Sequence, residues 1–584
     1  MQSIRTLAQA LALSAATLAT PALAQDWVAQ SDAYSSAVLE MQGQFSPENA
    51  AGTGLEQFDG TALSLDADRS QRIVAAYQAE IAKLEAAQAQ AQDENLKQDL
   101  AILIASLNND ITGTQLSDRL EMQWYDVPQI VFGGINGVLD DQVAAGRRGS
   151  AAQLLRQYAG LEGGRPSLAE QARARFAESE GNGRVGPYRA NVEQAIGRTP
   201  ALIAGIRELF QRYQISAPEA LDAMEQQLTD YAAWEKATVL PAARQDYRQP
   251  PEIYAHNLAQ YGIDLPPQEL VSRARRGFYE TRAQMQALAP LVAEKFGFAA
   301  TDYPAVIAEL KKQTIPQDEL EDFYRMVGEQ LEAMIARENI VSLPDYPVSM
   351  RLGSAAENAA SPAPHMRPPR LIGNTGEQGT FVLTTGNSSG GDGGTYDDFN
   401  FAAAAWFVSA HEARPGHELQ FAQMVERGVS QARVLYALNS TNVEGWALYA
   451  EAEMLPYLPV EGQLLLLQSR LLRASRAMLD PMLNLGQIDL DGARRVLADE
   501  ARFSAPMVQQ ELDRYVFRAP GQAGSYYYGY SQLIDLRIET ELALGDAFDR
   551  KAFNDFLIGQ GALPIGLLSA AVREEFVPSQ QSGG

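Results

Sequence analysis

Apolar positions recur at a helical interval along most of the chain. Between residues 70 and 109, Ile73, Tyr77, Ile81 and Leu84, and then Leu100, Ile104 and Leu107, fall three or four residues apart, which places them on one face of an α-helix. The polar run Asp93-Glu94-Asn95 between the two sets marks a turn joining antiparallel helices. The same period, mostly introduced by Ser, Thr, Asp or Pro, predicts helices at about 150–158, 166–180, 199–213, 217–238, 266–297, 302–313 and 316–338. No fixed-length repeat recurs, so a solenoid is not expected.

The pattern changes after Asn339. Residues 340–343, 347–350 and 379–384 read as short strands separated by Pro and Gly. Residues 379–385 alternate in a way that suits an edge strand able to bind an extended peptide through its main chain, and an ordinary buried strand fits them equally. The run GNSSGGDGG at 386–394 is a flexible loop without a phosphate-binding lysine, either a connector or a flap over a site. Helices resume at about 398–412, 417–427, 440–455, 461–478, 491–503, 506–515 and 521–544, and two shorter ones precede a Ser-Gly tail predicted to be disordered. The expected fold is mostly α, a large multi-helix body with a deep cleft walled by the helical first half, and a small β-sheet. Residues 25–339 are expected to form a helical scaffold half and 340–584 a second half, both within one interlocked domain.

The N-terminus changes the picture of location. Arg5, an apolar stretch over residues 7–18 and Pro21-Ala22-Leu23-Ala24 before Gln25 read as a signal peptide over residues 1–24. The stretch is shorter than the ~20 residues that span a bilayer, although a membrane anchor is the alternative reading. The mature chain is expected in the periplasm or outside the cell. It contains no cysteine, which excludes disulfides, thiolate ligands, a cysteine nucleophile and a lipid-modified cysteine. A net charge of −26 argues against extended contact with nucleic acid or anionic lipid, so neither a nucleic acid partner nor stable membrane insertion is expected.

The chain has only 4 histidines, and two fall within His411-Glu412-Ala413-Arg414-Pro415-Gly416-His417. Neutral imidazole is a common zinc ligand, and a catalytic site needs three protein ligands with one position left for water. Glu412, beside the first histidine, is placed to take a proton from that water. On an uninterrupted helix, positions six apart diverge by roughly 120°, and His417 would miss the metal. Pro415, however, has no N–H for the His411 carbonyl, and Gly416 adds backbone freedom, so looping out this pair returns His417 to the side of His411. The third ligand candidate is Glu444 in STNVEGWALYAE. Thr441 and Glu444 also fit a helix capping box, which requires no metal. Glu444 and Glu451 share a helix face within an apolar stretch, and a ligand plus a carboxylate orienting a histidine accounts for both.

HEARPGH, then EGWALYAE, then PGQAGSYYYG together resemble the bacterial family catalogued as domain of unknown function 885, whose members are similar to gluzincin metallopeptidases. The resemblance covers most of the mature chain, with its specific motifs between about 370 and 570. It implies one Zn2+ per chain on His411, His417 and Glu444, with Glu412 as general base. The insertion between the histidines departs from ordinary gluzincin spacing. Tyr526 matches the tyrosine that follows the family's PGQA element and is the candidate oxyanion donor, with Tyr530 one helical turn on. Arg514 and Arg518 are candidates for a substrate carboxylate or for structural ion pairs. His365 is predicted in a loop near the cleft, and His256 as structural.

The expected activity is hydrolysis of small peptides by a metal-activated water. Two other readings stay open: a zinc hydrolase of a non-peptide amide or ester, and a non-catalytic exported binding protein of the same fold. A purely structural metal calls for four ligands, and only three are found.

Overall fold

The apolar face predicted between residues 70 and 109 is buried, and it folds as a helical hairpin. In the computed structural model, which describes residues 26–140, 143–181, 183–353, 357–358, 363–384 and 396–582, Arg69–Gln90 packs against Glu94–Leu120 through Tyr77, Leu84, Leu100 and Leu107. The Asp93 carboxylate caps the second helix, accepting from the N–H groups of Asn95 at 2.8 Å and Leu96 at 3.3 Å. Such a cap contributes about 1 kcal/mol. The signal-peptide segment 1–24 and the loop 386–394 lie outside the described residues.

The fold is mostly helical with a small sheet, as expected, and four helices add to the predicted set: Asp26–Gly43, Pro47–Thr53, Val127–Val138 and Pro251–Gln260. Asp26–Gly43 escapes a hydrophobic-period reading because Ser31 and Ser35, both fully buried, occupy its inner face beside Val38. The tail is not wholly irregular, since Val577–Ser582 is helical. Among the described residues no helix is long and apolar enough to cross a membrane.

The sheet holds β1 (Ser349–Leu352), β2 (His365–Arg367) and β3 (Thr380–Leu383) in the order β1-β3-β2. Phe381 lies opposite Met350 in the parallel pair and opposite Met366 in the antiparallel one. Of the two readings of this segment the buried strand holds: β3 is central, with Phe381, Val382 and Leu383 all buried. His365 sits on β2, not in a loop. Residues 340–343 form no strand, because side chains take their backbone groups: Ser342 N–H donates to Asp555 at 2.8 Å, and Asn554 donates to the Ile340 carbonyl at 3.0 Å.

The main apolar core runs from Ile102 to Phe576 and so draws on both halves of the chain. Val460–Asn484 passes through it, with Pro267–Phe296 along one side and Ala402–Glu412 along another. Ser440–Met454 packs along Ser525–Leu544. Glycine makes that approach possible: a Cβ at Gly529 would lie 1.9 Å from the Thr441 carbonyl oxygen. This contact brings Glu444 and Tyr526 toward one cavity.

Candidate metal centre

The histidine helix Ala402–Glu412 is almost entirely buried and stops where Ala413 leaves helical geometry at φ −101°, ψ −110°. A new helix, His417–Arg427, begins after Gly416. The chain is thus broken between the histidines, across a cis Arg414-Pro415 peptide, at the Pro415-Gly416 pair where looping out was expected. Glycine permits the tight turn at the break: a Cβ at Gly416 would stand 1.9 Å from the His411 carbonyl oxygen. Trp446 Nε1 donates to the carbonyls of Pro415 at 3.0 Å and Gly416 at 3.3 Å. Arg414 donates to Glu418 at 2.7 Å and Glu332 at 2.8 Å. Held this way, the two imidazole rings lie 4.8 Å apart at 78°.

Glu444 comes from the next helix, Ser440–Met454. Asn439 caps this helix by accepting from the Asn442 N–H at 2.9 Å. Thr441 instead donates to the Tyr261 carbonyl at 2.5 Å, so the capping-box reading of Thr441 and Glu444 fails and Glu444 is free of that role. Its Oε2 lies 3.4 Å from His417 Nε2 and 3.6 Å from His411 Nε2. All three ligand atoms lie within 4.8 Å of one another. Two of these separations approach the ~3.3 Å edge of a tetrahedron with ~2.05 Å metal–ligand bonds.

Among the described residues Glu444 Oε2 and His417 Nδ1 are buried without a hydrogen-bond partner, although buried polar atoms are ordinarily satisfied. Burial opposes charge on His411, but the carboxylates of Glu444 and Glu451 outweigh it and raise its pKa to about 9. Burial likewise opposes charge on Glu444, and the two imidazoles overcome it and hold the carboxyl well below its ordinary range. This cluster draws positive charge to its centre, and the donor set fits a divalent cation.

Glu451, one face-repeat beyond Glu444, lies 2.7 Å from His411 Nδ1. An ionised carboxylate there keeps the proton on Nδ1 and turns the Nε2 lone pair toward the triad. Glu412 points into the same cavity. Its Oε1 is 3.9 Å from His411 Nε2, and its Oε2 accepts the Met366 N–H of β2 at 2.8 Å.

A cavity of about 380 Å³ contains the triad, Glu412, His365 and Tyr526. Its lining runs from Ala363 to Tyr526, so the helical first half does not wall it as expected but supports the helices behind it. Tyr526 is buried, and its hydroxyl accepts from Arg514 Nη1 at 3.3 Å. Burial, followed by the Glu444 charge, raises its pKa, so the phenol keeps its proton. Arg514 lines the cavity, whereas Arg518 turns away to Asp513 at 3.7 Å and Gln194 at 3.3 Å. Tyr530 lies beneath the Arg470 guanidinium, 5.1 Å from its ring centre, outside the cavity lining, and His256 packs near Gly113. Sequence reading missed two further cavity residues, Arg473 and Arg476. Both sit on Val460–Asn484, whose apolar period carries no sign of a site; only two nearly buried arginines three positions apart would have signalled it.

A model of the family described as "Bacterial protein of unknown function (DUF885)" matches residues 47–572. No curated protein sequence matches the chain. Two solved structures are similar. One, "a putative lipoprotein of unknown function" from Shewanella oneidensis, is 20% identical, covers 94% of this chain and 100% of its own, and superposes with a TM-score of 0.71. The other, "the putative lipoprotein" from Colwellia psychrerythraea, is 18% identical, covers 95% and 99%, and has a TM-score of 0.74. At these identities the likeness extends to the fold.

Proposed function

Given that the chain belongs to this bacterial family of unknown function, we propose that it is an exported zinc-dependent metallopeptidase that hydrolyses small peptides. One observation carries the reading: three buried ligand atoms from His411, His417 and Glu444 converge beside a fourth group, Glu412, that is not a member of the set. A three-ligand site leaves a position open for chemistry, where a structural zinc site is normally closed by four.

Zinc bound there would supply Lewis acidity, lowering the pKa of water and polarising the scissile carbonyl. The remaining work falls to the chain. Met366 N–H holds Glu412 Oε2, which leaves Oε1 to take the proton of the attacking water and return it to the leaving amine. Tyr526, protonated and braced by Arg514, donates to the carbonyl oxygen as negative charge develops. Glu451 fixes the tautomer of His411. Both similar structures belong to proteins described as putative lipoproteins, which supports export of this chain as well. With no cysteine, it would act as a free periplasmic or secreted enzyme.

The test is elemental analysis of the purified mature chain beside His417→Ala, together with a peptide-library assay. About one zinc per chain, lost in the variant along with hydrolysis, is the expected result. A chain that neither carries zinc nor takes it up overturns the reading.

A further inference from the structure

The cavity wall beyond Tyr526 carries three guanidinium groups, and their countercharges do not balance. Arg476 forms a two-point pair with Glu511, with both N–O distances at 2.7 Å. The same carboxylate is the nearest anion to Arg514, at 3.7 Å, and it also accepts from Tyr515 at 2.8 Å. Arg473 donates to the Ser469 hydroxyl, and its closest carboxylate is Glu451 at 3.9 Å, already engaged by His411. Within 4 Å the three cations therefore have two carboxylates, one of them shared with the metal centre, and Glu444 acts on Arg473 from farther off. Arg473 is 8% exposed, and its Nε has no hydrogen-bond partner among the described residues. A buried cation without a matched anion is costly, and burial pushes its pKa down.

The excess charge is close to the reacting centre. The Arg476 guanidinium lies 4.5 Å from the centre of the Tyr526 ring and that of Arg473 lies 5.9 Å from it, while Arg514 donates to the Tyr526 hydroxyl. In a chain of net charge −26, this local positive wall sits inside the cavity that holds the triad. Guanidinium forks suit carboxylates because two parallel N–H groups match two oxygens.

We propose that Arg473, Arg476 and Arg514 form a carboxylate subsite that takes the free C-terminal carboxylate of a short peptide, holding its terminal residues over His411, His417 and Glu444. The assignment rests on the peptidase reading for its substrate but not for its anion. It makes the enzyme one that works from the C-terminal end of its substrates. An acidic side chain would present the same carboxylate chemistry, and the two sources are separable.

The experiment measures binding by calorimetry to the full-length mature chain carrying Glu412→Gln, which blocks turnover, with and without one equivalent of zinc. The probes are acetyl-Ala-Ala-Phe as free acid, the same peptide as C-terminal amide, and acetyl-Ala-Ala-Asp amide. The free acid is expected to bind roughly 10- to 100-fold more tightly than either amide, as charge-assisted hydrogen bonds imply. Arg514→Gln should erase that preference with zinc content unchanged, and Arg514→Lys should restore part of it. Equal binding of all three probes overturns the subsite, as does equal hydrolysis of acid and amide by the unsubstituted zinc enzyme, which leaves the peptidase reading standing. An Asp amide that binds like the free acid overturns the C-terminal assignment. A preference for the acid in a chain that takes up no zinc upholds the subsite and removes the peptidase reading.

Discussion

Two buried polar clusters tie distant parts of this chain together, and they differ in whether they close. At Asp99, both carboxylate oxygens meet donors: the Ser31 and Ser430 hydroxyls at 2.6 and 2.5 Å, and Arg433 Nε at 2.8 Å. Arg433 in turn reaches Asn95 at 2.9 Å, Gln98 at 2.8 Å and Gln560 at 3.3 Å, and lies over the Trp27 ring. At His411, His417 and Glu444 the acceptors face one another, and Glu444 Oε2 has no hydrogen-bond partner among the described residues. Since a buried polar atom normally ends in a hydrogen bond, the closed cluster is a fastener between the first helices and the last, and the open one is a site that needs a cation.

Predictions that break or sharpen this contrast begin with the largest effect. Glu412→Gln keeps the open cluster but removes its base, so kcat/KM for peptides should fall about 10²- to 10⁴-fold while zinc content stays the same; undiminished turnover would place the base elsewhere. Asp99→Ala should strand Arg433 and lower unfolding stability by about 3–5 kcal/mol in denaturant titrations, with zinc affinity of the folded protein unchanged. A loss below about 1 kcal/mol would show that the closed cluster is no fastener. Glu451→Gln, which loosens the orientation of His411, should weaken zinc binding roughly 10- to 100-fold in competition with a chelator, and a full-strength site would sink that role.

The last prediction concerns a third cluster, intermediate between the two. Asp480 is buried and accepts from neutral donors, Tyr254 at 3.0 Å, the Gly521 N–H at 2.9 Å and Asn484 at 3.1 Å. Burial pushes its pKa from 3.8 up to about 7. Between those values the folded chain holds a proton that the unfolded chain has lost, so this group makes stability decline as pH rises from about 4 to about 7, and its contribution levels off above that. Asp480→Asn should flatten that part of the stability–pH curve; an unaltered slope would mean that the carboxyl titrates normally.

Much of the helical framework is legible in the sequence because burial of a helix face leaves a period that needs no partner to be seen. Ser150–Tyr158 and His417–Arg427 appear at the predicted positions. Asp26–Gly43 does not, since its inner face carries buried serines in place of apolar residues, one of which, Ser31, bonds to the distant Asp99. The metal cluster stands out for a different reason: two of only 4 histidines beside a glutamate are a chemical anomaly at any fold. Arg473 and Arg476 carry no such rarity, and their meaning depends on which side chains oppose them.

By itself, then, the sequence determined the helical class, the acidic and cysteine-free surface chemistry, and the rarity that marks His411, Glu412 and His417, all of which are local or compositional properties. Tertiary structure decided that β3 is central and β2 faces Glu412, and that Glu444 meets two imidazoles where it had also fitted a helix cap. These outcomes turn on which groups become neighbours across tens or hundreds of residues. A carboxylate is a cap, a fastener or a ligand according to the donors that packing brings to it, and no periodicity encodes that list.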